Sequence, residues 1–160
     1  MSEMRSGQAT CFLCDQNLGR LARWLRILGF DAEYMQSWNE ERVKTARLEN
    51  RIILTRNHSL ASHESAVLVR SDHVQEQLHE LAASVDLKAG YRPFSRCCVC
   101  NNLLEAVSRE EVRSLVPEYT YQTQERFSRC PSCTRIYWKG SHHDRASRIV
   151  STIVSPGMAT

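Results

Sequence analysis

Residues 11–29 read CFLCDQNLGRLARWLRILG and contain the pattern that decides the fold. The first four residues form a short apolar run, which is typical of a strand buried on both faces of a sheet. From residue 18 onward, apolar side chains recur at helical spacing, at positions 18, 21, 22, 24, 25 and 28. We predict that Asn17 caps the start of this helix and that Gly29 ends it. The stretch therefore predicts a strand followed directly by a helix.

Similar segments follow as far as residue 90 and give the order β-α-β-α-β-β-α. Further strands are predicted at residues 32–35, 52–55 and 66–69, and further helices at residues 40–50 and 73–85. Continuously apolar strands that alternate with helices predict an α/β fold in which helices flank a parallel sheet. We assign this domain to residues 10–90.

Length and composition limit the class of protein. The chain has 160 residues and is 42% hydrophobic, with only 6 Gly and 4 Pro, which excludes a low-complexity or collagen-like chain. No apolar run approaches the ~20 residues that cross a bilayer. The first eight residues also lack the apolar segment of a secretory signal. We therefore expect a cytoplasmic protein without a membrane partner.

Positive charge is concentrated in the C-terminal part of the chain. Residues 91–160 contain 10 Lys or Arg and 6 Asp or Glu, a balance of +4, whereas residues 1–90 contain 11 and 12. A net positive charge favours binding to phosphate backbones, but a net charge of +4 does not by itself indicate nucleic-acid binding.

Two C-x-x-C pairs separated by 29 residues predict a metal site in that basic part. This spacing is typical of two knuckles that direct four thiolates at one zinc ion rather than at an iron–sulfur cluster. Adjacent cysteines at 97 and 98 and an odd total of seven argue against disulfides. We predict a structural zinc ribbon over residues 91–145, followed by a C-terminal helix and tail over 146–160. The expected ligands are Cys97, Cys100, Cys130 and Cys133.

The ribbon segment has few secondary-structure signals. Strands are predicted at residues 126–128 and 136–138, and a last helix at 142–154 before a frayed tail. Ser108 and Glu111 have capping-box spacing, which predicts a helix that stops before Pro117. A third C-x-x-C pair, Cys11 and Cys14, lies in the first strand, where the two thiols face opposite sides and do not bind one ion.

Polar side chains follow the predicted strands at the edge where parallel sheets bind ligands. Carboxylates grouped at one edge repel each other unless a cation lies among them, as divalent-metal phosphodiester hydrolysis requires. The alternative is that Asp15 and Asp72 only cap helices. The candidate residues are Asp15 after the first strand, Glu40 and Glu41 at the second helix, Asn57 after the third strand and Asp72 after the fourth.

Three arginines recur every third residue on the first helix, beside Asp15. Arg20, Arg23 and Arg26 could hold RNA phosphates. They could equally form a solvated face whose alkyl stems cover the sheet. The spacing alone leaves both interpretations open.

The stretch from Asp15 to Asp31, Asp-x-x-Leu-Gly-Arg-Leu-Ala-Arg-Trp-Leu-Arg-x-Leu-Gly-Phe-Asp, resembles the opening signature of the Mut-seven C-terminal RNase domain family. Residues 54–57 (Leu-Thr-Arg-Asn), 71–73 (Ser-Asp-His) and the two cysteine knuckles are also similar to that family. The resemblance implies a PIN-like nuclease domain fused to a zinc ribbon. It further implies metal-dependent cleavage of RNA.

On this resemblance, Asp15 matches the first acidic position and Asp72 a late one, with Glu40 and Glu41 in the acidic stretch between them. These residues would hold magnesium or manganese, with Asn57 as a neutral ligand, and Arg56 would join Arg20 and Arg23 in holding RNA. The family usually has Asp at the position of Asn57. An amide removes one negative charge from the shell of the ion, although its oxygen can still act as a ligand.

The leading hypothesis is therefore a metal-dependent ribonuclease with a structural zinc ribbon. A second hypothesis is a catalytically weakened or inactive RNA- or ribosome-binding module, which could act with RNA-processing proteins. A third is a zinc-ribbon adaptor that binds other proteins. The departure from the family at Asn57 favours the second hypothesis over the first.

Overall fold

A computed structural model describes residues 9–62 and 66–154 and contains a parallel sheet with strand order β2-β1-β3-β4. The predicted α/β class is confirmed. The strands are β1 (Cys11–Cys14), β2 (Asp31–Tyr34), β3 (Ile52–Thr55) and β4 (Ala66–Leu68). The helices that accompany them are α1 (Gly19–Ile27), α2 (Glu40–Leu48), α3 (His58–Ala61) and α4 (Val74–Ser84).

Apolar side chains on both faces of the sheet explain why helices cover both faces. Phe12 and Leu13 are consecutive in β1 and belong to separate cores, because side chains alternate along a strand. The core around Phe12 contains Leu21 and Leu25 of α1 together with Leu78 and Leu81 of α4. The core around Leu13 contains Ile53, Val43 and Ala46 of α2, and Leu60 of α3.

The C-terminal segment adds a small antiparallel sheet and a final helix. Its strands are β5 (Glu105–Val107), β6 (Phe127–Arg129) and β7 (Ile136–Tyr137), in that order, and α5 (Glu118–Thr123) lies between β5 and β6. The final helix, α6 (Ser141–Val154), returns to the parallel sheet and buries Val150 and Ile153 in the core around Phe12.

The junction between α1 and the C-terminal segment depends on Gly29, which ends the helix as predicted. The Gly29 backbone has a φ of +98°, a left-handed conformation that side chains rarely adopt. A Cβ at this position would lie 2.1 Å from the carbonyl oxygen of Arg92. The neighbouring backbone bonds, Arg92 N to Leu28 O (2.9 Å) and Phe94 N to Ile27 O (2.8 Å), bring the start of the ribbon against the end of α1.

Two predicted helix caps need correction. Asn17 does not cap α1: Leu18 occupies the cap position without a side-chain bond, while Asn17 has a φ of 71° in the preceding turn. The Ser108–Glu111 capping box forms, but only a 3-10 turn at Glu110–Val112 follows it. The α-helix of this region, α5, starts after Pro117, which occupies the cap position and accepts the backbone N–H of Tyr121 at 2.9 Å through its carbonyl oxygen.

Three elements have no counterpart in the sequence prediction: α3, α5 and β5. The predicted tail at residues 155–160 lies outside the described residues. Within residues 9–62 and 66–154, we find no helix with the length and apolar character needed to cross a bilayer.

Candidate functional site

Asp15 lies directly after β1 and links the ends of the two central strands. Its backbone N–H donates to Leu54 O at 2.9 Å, so the residue remains in register with β3. Its carboxylate belongs to a residue only 5% exposed and accepts two hydrogen bonds, from the Thr55 hydroxyl (2.9 Å) and from the Gln16 backbone N–H (2.8 Å). A buried carboxylate needs such donors. They also fix its orientation at the carboxyl edge of the sheet.

Thr55 is a site residue to which the sequence analysis gave no role. Its hydroxyl donates to Asp15 and accepts the N–H of Asn57 at 3.0 Å. The signal available in the sequence was a hydroxyl-bearing residue that ends the apolar run 52–55 and precedes Arg56. Such a polar side chain at a strand end requires a buried partner.

Asn57 uses its side chain as a helix cap. Its Oδ1 accepts the backbone N–H of Ser59 at 2.9 Å, which satisfies one of the free donors at the start of α3. The predicted ligand oxygen of Asn57 therefore has a local structural partner.

The other predicted acids are exposed and paired with cations. Glu40 and Glu41 lie in the first turn of α2, and their carboxylates lie 3.7 and 3.6 Å from the Lys44 ammonium group. Asp72 pairs with Arg56, and the Asp72 side chain is 75% exposed. Surface pairs of this kind contribute little to stability, at most about 1 kcal/mol each.

These five residues do not form a ready magnesium shell. Magnesium requires oxygen ligands at about 2 Å in octahedral geometry. Among the residues that the structure describes, the acids form no group of three whose ligand atoms lie within 4.8 Å of one another. At least one side-chain oxygen of each candidate residue instead has a protein partner, and the acids are not grouped around one centre, so the arrangement as it stands does not fit a shared catalytic ion.

The three arginines of α1 differ in their surroundings. Arg20 and Arg23 are exposed, and within the described ranges neither side chain makes an ion pair or a hydrogen bond. Arg26 instead donates to three backbone carbonyls: Ala32 O (2.8 Å), Cys98 O (3.2 Å) and Val99 O (3.1 Å). The Arg26 guanidinium group thus connects α1 to the first cysteine knuckle.

The four predicted zinc ligands come together. Their sulfur atoms all lie within 4.8 Å of one another, and the Cys97 and Cys133 sulfurs are 3.7 Å apart. A tetrahedral ion with Zn–S bonds of about 2.3 Å places its ligand sulfurs about 3.8 Å apart. The cluster can therefore hold a metal such as zinc, and Cys98 lies outside it. The four cysteines of this cluster are Cys97, Cys100, Cys130 and Cys133.

Hydrogen bonds favour the thiolate form of Cys97, whereas the hydrogen bond with Cys133 and burial raise the pKa of Cys100 to about 12. Asn101 N donates to Cys97 O and Thr134 N to Cys130 O, so both knuckles close in the same way. Burial opposes ionisation of Cys97. Hydrogen bonds from the Tyr137 hydroxyl and the backbone outweigh burial and lower the pKa of the Cys97 thiol to about 7.

The chain matches a known protein family over most of its length. The family model described as Mut7-C RNAse domain matches residues 10–150. The chain belongs to this family. No curated protein and no solved structure matches it. Membership suggests a nuclease-type function and supports the resemblance seen in the sequence. The Mut7-C match includes the parallel sheet, both knuckles and the first two-thirds of α6.

Asn101 holds the ribbon of this Mut7-C domain against the sheet. Its Nδ2 donates to Asp31 Oδ1 at 2.7 Å, and its Oδ1 accepts the backbone N–H of Ala32 at 3.0 Å. Arg96 adds a bond from its Nε to Gly29 O at 3.2 Å. Because Asn101 directly follows Cys100, closure of the first knuckle positions this contact.

Proposed function

We propose that the protein is a ribonuclease that hydrolyses phosphodiester bonds of RNA at the carboxyl edge of the parallel sheet. The observation that carries the proposal is the family match over residues 10–150. RNA, rather than another substrate, is the choice that this family description favours.

Asp15 is the residue at that edge best suited to act on a phosphodiester. Its carboxylate is held in one orientation by Thr55 and by the Gln16 N–H. The exposed Arg20 lies in the first turn of α1, and the exposed Arg23 lies one turn further along that helix. A fixed carboxylate can orient a water molecule or accept its proton. Guanidinium groups beside it can hold the phosphate backbone.

Magnesium or manganese is the cofactor that the family resemblance implies. The candidate ligands bind protein partners and not a common centre, so we derive no catalytic step through a metal ion. Lys44 and Arg56 already supply positive charge to the acids that would hold such an ion. Metal dependence is therefore a separate part of the proposal with its own experimental arm.

The test is cleavage of an end-labelled RNA that contains single-stranded and duplex segments. The purified protein is incubated without divalent ions, with magnesium and with manganese. We expect wild type to cleave and Asp15→Asn to lose at least 100-fold in rate, the lower limit for a positioned acid–base group. Asp86→Asn, at an exposed position after α4, is the matched control. Equal cleavage by wild type and Asp15→Asn would overturn the proposal.

For the cysteine cluster, we propose one structural zinc ion. Four thiolates complete a tetrahedron and leave no position for substrate, so the contribution of the ion is to folding.

The second candidate function is binding of RNA or a ribosomal surface without cleavage. It is favoured by the Asn57 amide, which caps α3 where an acid would carry charge, and by the pairing of the exposed acids with Lys44 and Arg56. Asn57→Asp distinguishes the two functions, since Asp also caps helices well. Cleavage that appears only in Asn57→Asp supports the binding module, and wild-type cleavage rejects it.

A further inference from the structure

A cleft of about 540 Å³ lies between α1 and the ribbon. One wall is Arg23 of α1, and the other is formed by the first knuckle and by strands β6 and β7. Its volume is within the range of clefts that hold small ligands.

The cleft is positively charged. Arg23, Arg129 and Arg135 line it, and none of the ten lining residues is acidic. Within the described part of the chain, none of these three guanidinium groups is in an ion pair. Glu111 is close enough to Arg129 for the guanidinium to help lower the pKa of the Glu111 carboxyl, but that carboxylate already accepts bonds from Ser108. Three unpaired guanidinium groups favour a polyanion.

An exposed aromatic side chain is held in place beside these charges. Trp138 lines the cleft with 37% of its surface exposed, and its ring packs edge-to-face on Phe127 with centroids 6.4 Å apart. Tyr137 also lines the cleft, and its hydroxyl bonds to the Cys97 sulfur at 3.0 Å. The aromatic wall is therefore positioned by the ribbon core and by the cysteine cluster.

We propose that this cleft binds single-stranded RNA, with a base stacked on Trp138 and phosphates held by Arg23 and Arg135. Aromatic rings that alternate with guanidinium groups are the features that bind single strands, because every base has a π-face. An acidic peptide would use the arginines but would gain little from the indole, so RNA fits the wall better. Duplex RNA does not expose its bases for such stacking.

The cleft also connects to the edge at which cleavage is proposed. Arg20 lies one helical turn from Arg23 toward the start of α1, where Asp15 is located. A strand held in the cleft can therefore continue along α1 to that carboxylate. The inference rests on the proposed function for its choice of RNA. Binding and cleavage are nevertheless measured separately.

The experiment is fluorescence anisotropy with a labelled ten-nucleotide single-stranded RNA, with no magnesium or manganese added and at several salt concentrations. We expect Trp138→Ala to weaken binding about 5- to 150-fold, as loss of one base stack predicts, with Trp138→Phe restoring most of it. Arg135→Ala should reduce the slope of log affinity against log salt by about 0.7, the value for one phosphate contact on a single strand.

Matched controls separate this cleft from the general basic surface. Tyr119→Ala removes a more exposed aromatic ring on α5, and Arg148→Ala removes an exposed charge on α6. Neither should change affinity more than twofold. The zinc content and melting temperature of each variant report folding, and the double variant Arg23→Ala, Arg135→Ala keeps the test valid if Trp138→Ala does not fold.

Three results would overturn the proposal: Trp138→Ala binding within twofold of wild type, equal losses in the two controls, or tighter binding of a labelled polyglutamate peptide than of the RNA. Cleft-dependent binding without any cleavage supports the cleft and rejects the ribonuclease. Cleavage that depends on Asp15 but not on Trp138 or Arg135 supports the ribonuclease and rejects the cleft as its RNA-binding site.

Discussion

Thr55 is the residue that ties the proposed reaction centre to the sheet. It is fully buried, and its hydroxyl contacts both the Asp15 carboxylate and the Asn57 N–H. Each of these partners follows a strand end, so one side chain fixes two loops. The orientation of Asp15 depends on it more than on any exposed charge.

We therefore expect Thr55→Val to lower the free energy of unfolding by about 1–3 kcal/mol, since a buried carboxylate oxygen and an N–H lose a partner while the shape is kept. Urea denaturation measures the change. Thr45→Val is the control, because its hydroxyl is exposed and bonds only to Glu41 O within α2. An equal, small effect of both substitutions would contradict this role.

The contact that Asp31 makes between the sheet and the ribbon is expected to weaken in acid. Burial alone would raise the pKa of its carboxyl, but hydrogen bonds from Arg51 and Asn101 outweigh burial and hold it below the usual 3.8. A lowered pKa in the folded state stabilises the fold above pH 3.8, and this stabilisation is lost as pH falls through the folded value.

Asp31→Asn should therefore be less stable than wild type at pH 7. The difference in free energy of unfolding between the two proteins should shrink as pH falls below 3.8. Unfolding free energies measured from pH 7 to pH 3 test this dependence. A difference in unfolding free energy that stays constant from pH 7 to pH 3 would show that the charge of Asp31 does not contribute to stability.

At the element scale, the two cysteine knuckles predict that substitution of Cys133 and substitution of Cys98 differ in their effect on zinc content. Cys133→Ser should lose the metal and unfold the ribbon, because it removes one of the four clustered thiolates. Cys98→Ser should keep about one zinc per chain, because Cys98 lies outside the cluster. Elemental analysis after dialysis measures this content. Loss of zinc from both variants, or zinc in neither wild type nor Cys98→Ser, would contradict the assignment.

The arginine stripe of α1 divides into two roles. Arg26→Ala should cost about 1.5–3 kcal/mol of stability, because three carbonyls lose a charged donor at the joint with the ribbon. Arg20→Ala should change stability by less than about 0.5 kcal/mol and should instead reduce the salt dependence of RNA binding. Thermal and urea unfolding, followed by anisotropy, compare the two. If Arg26→Ala loses only RNA affinity, the structural role is wrong.

Much of the element pattern was predictable because local spacing determines it. The run 11–29 predicts β1 and α1 from apolar periodicity, and the four ligand cysteines follow from knuckle spacing. The helix after Pro117 was missed because proline usually signals an end, although it also suits a first turn. The partners of the acids were not predictable, since the contacts of Lys44 and Arg56 depend on side-chain placement at the surface.

For the whole molecule, the position of the ribbon is the feature that the sequence did not predict. The arginine stripe does not distinguish Arg26 from Arg20 and Arg23, and Asn101 gives no periodic signal, yet Arg26 and Asn101 connect the knuckle to the sheet across some 70 residues of chain. This joint holds the first knuckle, whose Cys98 and Val99 line the cleft, opposite Arg23 of α1.

Gly29→Ala tests that joint directly. The added Cβ would meet the Arg92 carbonyl and would sit on a backbone of positive φ, so we expect a loss of more than about 1 kcal/mol. Gly140→Ala is the control, because its nearest neighbour is the Trp138 side chain and its backbone is not left-handed. Urea unfolding with equal losses in both variants would contradict a strained junction at Gly29.

RNA that is held in the cleft and cleaved at Asp15 should depend on these two places in separable ways, which single-turnover cleavage measured against protein concentration resolves. Asp15→Asn should lower the maximal rate at least 100-fold with an unchanged half-saturating concentration. Trp138→Ala should raise that concentration about 5- to 150-fold with an unchanged maximal rate. Binding in the cleft with cleavage at Asp15 is contradicted if wild type cleaves no RNA. It is also contradicted if both substitutions change only the maximal rate, or both change only the half-saturating concentration.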